Sequence, residues 1–398
     1  MNNTLIIEPY VDIVVGCNSI LFYNTFTGDS YISAEPLIVE LFSRDNSNLY
    51  SYSIKADIAC NSQFQKFLCD ISQKNMGKML QNKGVNPVQF SIAHNLEFVT
   101  VSRNKTKHQI LHMNVVDVAI YLNGKTSKHT YSNAYKQFLC CKNSDGQIEL
   151  DNIVEYLAPL IEANSIVRIH LLGGNIFDYP HFASLLHYVE TTFPNVRLFL
   201  HCNLIDLTER DISLINSSMH KFIVTVYPDD DVLQLQKFFE VKCECQFVVE
   251  CESDLEKIEQ LMLNHQDIQY SVVPYFNGQN IEFFKENVFT AVDDILQQTV
   301  SMNEIQKKRA INTTNFGRLI IDNNGDVYDN FNFPPISKID SISIVQTVEK
   351  EIDDKMRWFT IRKMIEPCKN CIYRHLCPPI GNLEFFMNQN NLCHAYQD

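Results

Sequence analysis

Short apolar runs recur through the centre of the chain, and amphipathic stretches with helical spacing separate them. The runs occupy residues 115–122, 167–172, 196–201, 222–227, 243–249 and 268–274. Parallel strands need crossover helices, so six such units of ~25 to 30 residues predict a parallel sheet within an α/β fold.

The first 80 residues have a different pattern. Short runs rich in apolar residues, such as 5–7 and 19–23, come first, and two helical patterns follow at 34–42 and 62–74. The second helical pattern places Phe64, Phe67 and Leu68 at helical spacing. Short strands followed by helices suggest a small winged-helix module.

Composition and charge narrow the choice of function. A chain of 398 residues with 45% hydrophobic and 20% charged content is that of a globular protein with two or three domains. The formal net charge of −14 and the lack of basic stripes argue against nucleic-acid binding. There is neither an apolar window that could span a membrane nor an export signal, so we expect a cytoplasmic protein with no membrane association. Peptides or proteins are the expected partners.

Four of the thirteen cysteines lie near the C-terminus, as Cys368-x2-Cys371-x5-Cys377 with Cys393 beyond them. A C-x-x-C pair places two sulfurs on one tight turn, and two further thiolates complete a tetrahedral set. Such a set binds zinc or an iron–sulfur cluster. Buried thiols would be unusual in a turn that carries Lys, Arg and His, and disulfides belong to exported chains. We therefore predict metal or cluster ligation.

The cysteine pattern resembles the C-terminal SPASM domain of radical SAM peptide maturases. In that family these four cysteines ligate the second auxiliary 4Fe–4S cluster, and a cysteine at the position of Gly381 belongs to the first. The resemblance therefore implies one 4Fe–4S cluster, with zinc as the alternative. The segment 316–330 resembles the family's hairpin without its two cysteines, and Asn324-Gly325 predicts a two-residue hairpin turn.

The central repeat resembles the partial (β/α)6 TIM barrel of radical SAM enzymes, but the chemistry of that core is missing. The C-x-x-x-C-x-x-C triplet that holds the reactive cluster occurs nowhere in the sequence. Gly173-Gly174-Asn175 resembles the Gly-Gly-Glu motif that receives the amino group of S-adenosylmethionine, with Asn175 in place of the acid. A neutral amide gives no charge-assisted bond to an ammonium, so we interpret this as a degenerate cofactor loop and do not expect bound S-adenosylmethionine.

One further pair of cysteines could carry chemistry. Cys140 and Cys141 fall near the mouth of the predicted barrel. Adjacent cysteines chelate poorly, so we interpret them as packing residues, with a metal role as the alternative. No catalytic residue is predicted.

The segment from Ser19 to Gly28 resembles the N-terminal part of RiPP recognition elements. These are the winged-helix modules that bind leader peptides beside radical SAM peptide maturases. That resemblance implies an extended leader added to a strand edge at about 29–33 and packed against the helix at 62–74. The residues implied in peptide binding are Asp29, Tyr31, Phe64, Phe67 and Leu68. The alternative is an ordinary β/α cap with no ligand.

The order of these parts resembles the pseudo-radical-SAM proteins of peptide-maturation systems. The predicted domains are a winged-helix module at 1–80, a bridging segment at 81–112, a degenerate radical SAM core at 113–305 and a SPASM-like metal-binding domain at 306–398. The resemblance implies a non-catalytic protein that binds a precursor or leader peptide, a radical SAM maturase, or both. A catalytically active radical SAM/SPASM peptide-modifying enzyme is the alternative.

Overall fold

Short strands and helices form the N-terminal module. The computed structural model describes residues 3–43, 50–81, 105–126, 131–231, 243–265 and 268–395, so most of the predicted bridging segment lies outside the described residues. The elements of the module are β1 (Asn3–Ile7), β2 (Val11–Val15), β3 (Ile20–Asn24), β4 (Ser30–Ser33), α1 (Pro36–Ser43), β5 (Ser51–Ile54), α2 (Ala56–Ala59), α3 (Ser62–Gln73) and β6 (Gly77–Gln81). Two antiparallel sheets result, one with the order β5-β1-β6 and the other with the order β2-β3-β4.

Helix α3 supplies much of the apolar core of this module. The Asn61 side chain caps the helix by accepting hydrogen bonds from two backbone N–H groups of its first turn. Phe64 and Phe67 are 0% and 1% exposed. The Phe67 ring packs against the buried rings of Phe22, Phe42 and Phe64 and against the partly buried ring of Tyr31. The expectation that Phe64 and Phe67 face an open groove therefore differs from the structure, because so small a module must bury its largest apolar side chains.

Six parallel strands form the centre of the molecule, as predicted. They are β7 (Asp117–Tyr121), β8 (Arg168–Leu172), β9 (Arg197–Asn203), β10 (Lys221–Val226), β11 (Cys243–Val249) and β12 (Gln269–Pro274). Each pairs in parallel with the next one along the chain. The helices around them are α4 (Lys107–Asn114), α5 (Leu150–Ala163), α6 (Phe182–Thr192), α7 (Glu209–Ser217) and α8 (Glu252–Asn264). Strands and helices share one large apolar cluster, so the fold is α/β.

A hairpin from the C-terminal part of the chain extends this central sheet. Its strands are β13 (Arg318–Ile321) and β14 (Asp326–Tyr328), and β15 (Ser337–Lys338) pairs with β14. Strand β13 lies parallel to β7, so the described strands form a nine-stranded sheet with the order β12-β11-β10-β9-β8-β7-β13-β14-β15. The hairpin predicted for the SPASM-like domain is therefore continuous with the central sheet.

The turn of this hairpin is longer than the predicted two-residue turn. The Asp322 N–H donates to the Asp326 carbonyl oxygen at 2.9 Å, which leaves three residues, 323–325, in the loop. Gly325 has a φ of +82°, a value that favours glycine. The Asp322 carboxylate accepts hydrogen bonds from the N–H groups of Asn324 and Asp326. These bonds stabilise the three-residue loop over the shorter turn.

The remaining helices lie in the C-terminal part of the chain, after β12. They are α9 (Ile281–Asn287), α10 (Val292–Gln297), α11 (Met302–Ala310), α12 (Ile344–Asp353) and α13 (Asn382–Met387). One face of strands β2 and β3 packs against this region in a second apolar cluster. In the part of the chain that the structure describes, no helix has the length and apolar character needed to cross a membrane.

Candidate functional site

The four C-terminal cysteines line one small cavity of about 20 Å³. Cys368 and Cys377 are buried, and Cys371 and Cys393 are partly exposed. Within the described residues, no three His, Cys, Asp or Glu side chains converge closely enough to hold a single metal ion. The structure therefore brings the predicted ligands together around one space, and their role as ligands stays a prediction.

Local backbone bonds position the cysteines. The Cys371 N–H donates to the Cys368 carbonyl oxygen at 3.0 Å, and the Cys377 N–H donates to the Tyr373 carbonyl oxygen at 2.9 Å. Two consecutive turns thus present the first three thiols to one side. Cys393 arrives from a separate segment, which a β-bridge ties to Thr290. This bridge holds the fourth thiol beside the other three.

Burial and two nearby donors act in opposite directions on the C-terminal thiols. Burial raises the pKa of the Cys368, Cys371 and Cys377 thiols, to about 12 for Cys377. Two N–H donors oppose this effect, because the Arg362 guanidinium lies 3.4 Å from the Cys368 sulfur and the Tyr373 backbone N–H lies 3.4 Å from the Cys371 sulfur. The positive charge of a bound metal centre would supply the rest of the stabilisation. A thiolate-ligated centre fits this donor set.

Asn175 has structural partners at the end of β8. Its side-chain oxygen accepts a hydrogen bond from the Phe177 N–H at 3.1 Å, and its amide nitrogen lies 3.3 Å from both an Asp211 carboxylate oxygen and the Asp206 carbonyl oxygen. The preceding Gly173 has a φ of +151°, which favours glycine. The Asn175 side chain is therefore engaged within the protein.

The segment after β7 closes over this glycine pair. Asn123 accepts a hydrogen bond from the Gly174 N–H at 2.8 Å and donates to the Asn175 carbonyl oxygen at 2.8 Å. The Asn175 N–H donates to the Lys125 carbonyl oxygen at 3.2 Å. A Cβ atom at Gly174 would overlap that Lys125 carbonyl. The backbone of 123–125 therefore occupies the surface of the Gly173-Gly174 pair.

Polar side chains extend this closure to the end of β9. Asn203 donates to Thr126 at 2.8 Å and to the Asp206 carboxylate at 2.9 Å, and Thr126 also contacts Asp206. We call the residues 123–126, 173–175 and 203–206 the strand-end cluster. It joins the carboxyl ends of β7, β8 and β9, which is where open α/β sheets bind ligands.

Cys140 and Cys141 are packing residues in this structure. Both are buried, and burial raises the pKa of Cys140 to about 12 and that of Cys141 well above its usual value. Cys140 lies in a cluster with aromatic rings, where Tyr131 stacks on Tyr227 at 4.4 Å between ring centroids. This environment favours the packing interpretation over a metal role.

Two polar networks could not be recognised in the sequence. In the first, Asp117 forms an ion pair with Arg318, and His170 lies 3.4 Å from Asp117 and 2.9 Å from His201. The second joins buried Asp12 to residues near the other end of the chain. In the sequence, His170 and Asp12 are each a single polar residue between apolar neighbours. That pattern was the only indication of a buried side chain with a polar partner.

The proposed peptide edge exists as an edge in the structure. Strand β4 pairs only with β3 among the described strands. The Asn24 N–H donates to the Asp29 carbonyl oxygen, so these two residues are a hydrogen-bonded pair of the antiparallel strands β3 and β4. Bonded and non-bonded pairs alternate along such strands. The N–H of Tyr31 therefore points toward β3, and the N–H of Ile32 points outward. Leu68 is partly exposed on α3. Ile32, which is 42% exposed, therefore presents its backbone N–H at this edge, whereas the N–H of Tyr31, a residue predicted to bind the peptide there, points toward β3.

Comparisons with known proteins found similarity only to solved structures of low sequence identity. No protein-family model matches the sequence, and the comparison with curated proteins gave no match. Among solved structures, BtrN in complex with AdoMet and 2-DOIA is 14% identical with a TM-score of 0.38, over 64% of this chain and 92% of that chain. The structure of anSMEcpe with bound AdoMet and Cp18Cys peptide is 14% identical with a TM-score of 0.45, over 66% of this chain and 87% of that chain. Similarity at this level assigns neither an activity nor a ligand to this chain.

Proposed function

We propose that this protein is a non-catalytic radical-SAM-like component of a ribosomal-peptide maturation system. It binds a precursor peptide, an active maturase, or both, and it holds one SPASM-type 4Fe–4S cluster at its four C-terminal cysteines. The observation that carries the proposal is the packing of the Lys125 carbonyl against Gly174. In the family that these motifs resemble, the glycine pair and the following acid receive S-adenosylmethionine.

The strand-end cluster supports the non-catalytic part of the proposal. A cofactor that reached the backbone of Gly174 would first have to displace residues 123–125 and break the hydrogen bonds of Asn123. Asn175 would also have to leave Asp211. The sequence has neither the cluster-binding triplet nor the acid, so it lacks the interactions with the cofactor that would offset the free-energy cost of this displacement. Binding energy is available only as the surplus over such costs.

The resemblance of the cysteine pattern to the SPASM domain favours an iron–sulfur cluster over zinc. Four thiolates suit either group, so the choice rests on that resemblance. The four cysteines line one cavity. Anaerobic purification followed by iron, sulfide and zinc analysis tests this assignment, and substoichiometric amounts of all three would remove the site.

Reductive cleavage of S-adenosylmethionine tests the absence of catalysis. The full-length protein, reconstituted anaerobically with iron and sulfide, is incubated with S-adenosylmethionine and dithionite. We expect no more 5′-deoxyadenosine than in a reaction without protein. More than one equivalent of 5′-deoxyadenosine per protein would establish the alternative, a catalytically active radical SAM/SPASM enzyme. Because the measurement follows the cofactor, it needs no knowledge of the peptide.

The edge of β4 is the proposed binding site for the peptide. Backbone bonds along a free edge supply affinity, and neighbouring pockets supply specificity. Asp29 and Tyr31 flank this edge, and the buried Phe67 ring packs against Tyr31. Phe64 and Leu68 belong to the same apolar cluster of the module. We expect an extended precursor peptide to add a strand here with micromolar affinity, or about 8 kcal/mol.

Proline at Ile32 tests this site. Ile32→Pro removes the outward backbone donor, and proline is tolerated on an edge strand whose N–H faces solvent. Ile32→Val keeps the donor and is the matched control. Titration of a fluorescent precursor peptide, taken from the gene neighbourhood of the protein, should show weaker binding by the proline variant alone. Equal affinity of both variants and the wild type would place the binding site elsewhere.

A further inference from the structure

We propose that the metal centre and the peptide-binding edge are energetically coupled through strands β2 and β3, so that loading the centre orders the edge strand β4. The inference rests on the proposed function, because it concerns the same cysteines and the same edge. Three sets of contacts between the N-terminal strands and the cysteine segment 368–377 carry it.

The first contact is made by the Arg374 guanidinium, which bonds to both strand β2 and the cysteine segment. Arg374 donates one hydrogen bond to the Cys371 carbonyl oxygen at 2.8 Å and another to the Val15 carbonyl oxygen at 3.1 Å. Along the antiparallel pair of β2 and β3, hydrogen-bonded residue pairs alternate with non-bonded pairs. Gly16 and Ser19 are hydrogen-bonded, so the next pair, Val15 and Ile20, is not, and the Val15 carbonyl points away from β3. Arg374 therefore binds the free edge of β2 to the turn that carries Cys371.

The second contact is a buried ionic network. Asp12 of β2 is 2% exposed and accepts a hydrogen bond from His375 at 2.9 Å. It also forms an ion pair with Arg309 of α11. Breaking a buried pair by removing one partner leaves an uncompensated charge, so the network resists separation of β2 from the cysteine segment.

The third contact is steric and apolar. Ile372, Leu376 and Cys377 pack in one cluster with side chains from the outer face of β2 and β3, namely Val14, Leu21 and Tyr23. The turn between these strands fits the cysteine segment closely, because a Cβ at Gly16 would lie 2.8 Å from the Asn370 carbonyl oxygen and 2.8 Å from an Ile372 methyl group. Protein interiors do not absorb such changes without movement.

These contacts place strand β3 between two partners. Its residues are all buried, one face against the core of the N-terminal module and the other against the cysteine segment. Ligation of a metal centre adds metal–sulfur bonds to a segment that is otherwise held by hydrogen bonds, ion pairs and apolar packing. Fixing residues 370–377 therefore restricts β2 and β3, and β3 is the only described partner of β4. Coupling between two sites acts equally in both directions.

Hydrogen–deuterium exchange on the full-length protein tests the coupling. The protein is compared as loaded with its metal centre and after removal of the metal by an anaerobic chelator. We expect exchange in 11–15, 20–24 and 30–33 to rise at least about fivefold after removal, which is the low end of measured couplings. Exchange in β9 (197–203) should stay unchanged, because among the described residues its buried side chains belong to a different apolar cluster from the cysteine segment.

The possible outcomes separate this inference from the proposed function. A protein that carries a metal centre but exchanges identically at β2–β4 in both forms would overturn the coupling and leave the metal assignment intact. A protein that purifies and reconstitutes without any metal would overturn both. Equal loss of protection in β9 would show general unfolding and would also overturn the coupling.

A glycine pair supplies matched variants that act in the reverse direction. Gly16→Ala places a methyl group against Asn370 and Ile372, whereas Gly381→Ala places one in open space within the cysteine domain. We expect Gly16→Ala to weaken retention of the metal against bathophenanthroline or a zinc chelator at least about fivefold. Gly381→Ala should retain it like the wild type. Equal retention by the two variants would contradict the inference.

Discussion

Glu351 is a fully buried carboxyl in helix α12. Its neighbour is Asp329, and one of its oxygens accepts a hydrogen bond from the Trp358 N–H at 2.8 Å. Burial, followed by the nearby Asp329 charge, raises the pKa of Glu351 to about 9. Two carboxylates this close and this buried share a proton, because they cannot both ionise at low cost.

The raised pKa predicts a loss of stability at alkaline pH. A carboxyl with a raised pKa in the folded state contributes stability below its unfolded pKa of about 4.3, and that contribution is lost as the pH rises toward 9. We expect the free energy of unfolding to fall between pH 5 and pH 9 by more than about 1.4 kcal/mol, the equivalent of one pKa unit. Urea denaturation of Glu351→Gln should show a smaller fall than the wild type. Glu349→Gln, a change at a less buried position of the same helix, should keep the wild-type dependence.

Two buried histidines predict that stability also falls at acidic pH. Burial lowers the pKa of His170 to about 4 and that of His201 well below its usual value. Their contribution to stability is present above the unfolded pKa of about 6.5 and is lost as the pH falls below it. We expect His201→Gln to unfold with less dependence on pH between 6.5 and 4 than the wild type. Thermal denaturation at several pH values measures the difference, and a parallel course of both proteins would contradict the assignment.

The strand-end cluster makes a prediction about an element. Gly174→Ala would force the carbonyl of Lys125 to move, because its Cβ would overlap that atom. Overpacking of this kind destabilises by roughly 1–3 kcal/mol. We expect a lower melting temperature and faster proteolysis near residues 123–126. A variant as stable as the wild type would show that this segment moves freely and that the glycine pair can be uncovered.

The elements show how far the sequence could be interpreted. The six central strands were predictable, because each is a run of apolar residues bounded by turns and separated from the next by a helical pattern. The pairing of β13 with β7 was not, since a strand's partner depends on contacts between residues about 200 positions apart rather than on its own pattern. Helical spacing likewise showed that Phe67 is on an apolar stripe, but it does not distinguish a core from a groove.

At the scale of the whole molecule, Cys377 has two roles. It lines the cavity of the candidate metal centre, and it packs in the cluster that includes Val14 and Tyr23. We expect Cys377→Ala to lose the metal centre and more than about 4 kcal/mol of unfolding free energy, a loss typical of a missing metal site. Chemical denaturation measures this loss. Cys69→Ala, at an exposed position, should change neither quantity. A stable Cys377→Ala protein would show that the cysteines are not structural ligands.

The contact between Asp12 and His375 also has a consequence for synthesis on the ribosome. These residues are 363 positions apart in the chain. At ribosomal rates of about 5–20 residues per second, the strands β2 and β3 emerge tens of seconds before the cysteine segment that covers their second face. Their apolar residues Val14, Leu21 and Tyr23 have no partner from that segment in the meantime. The packing of β2 and β3 is therefore completed only after the cysteine segment has emerged.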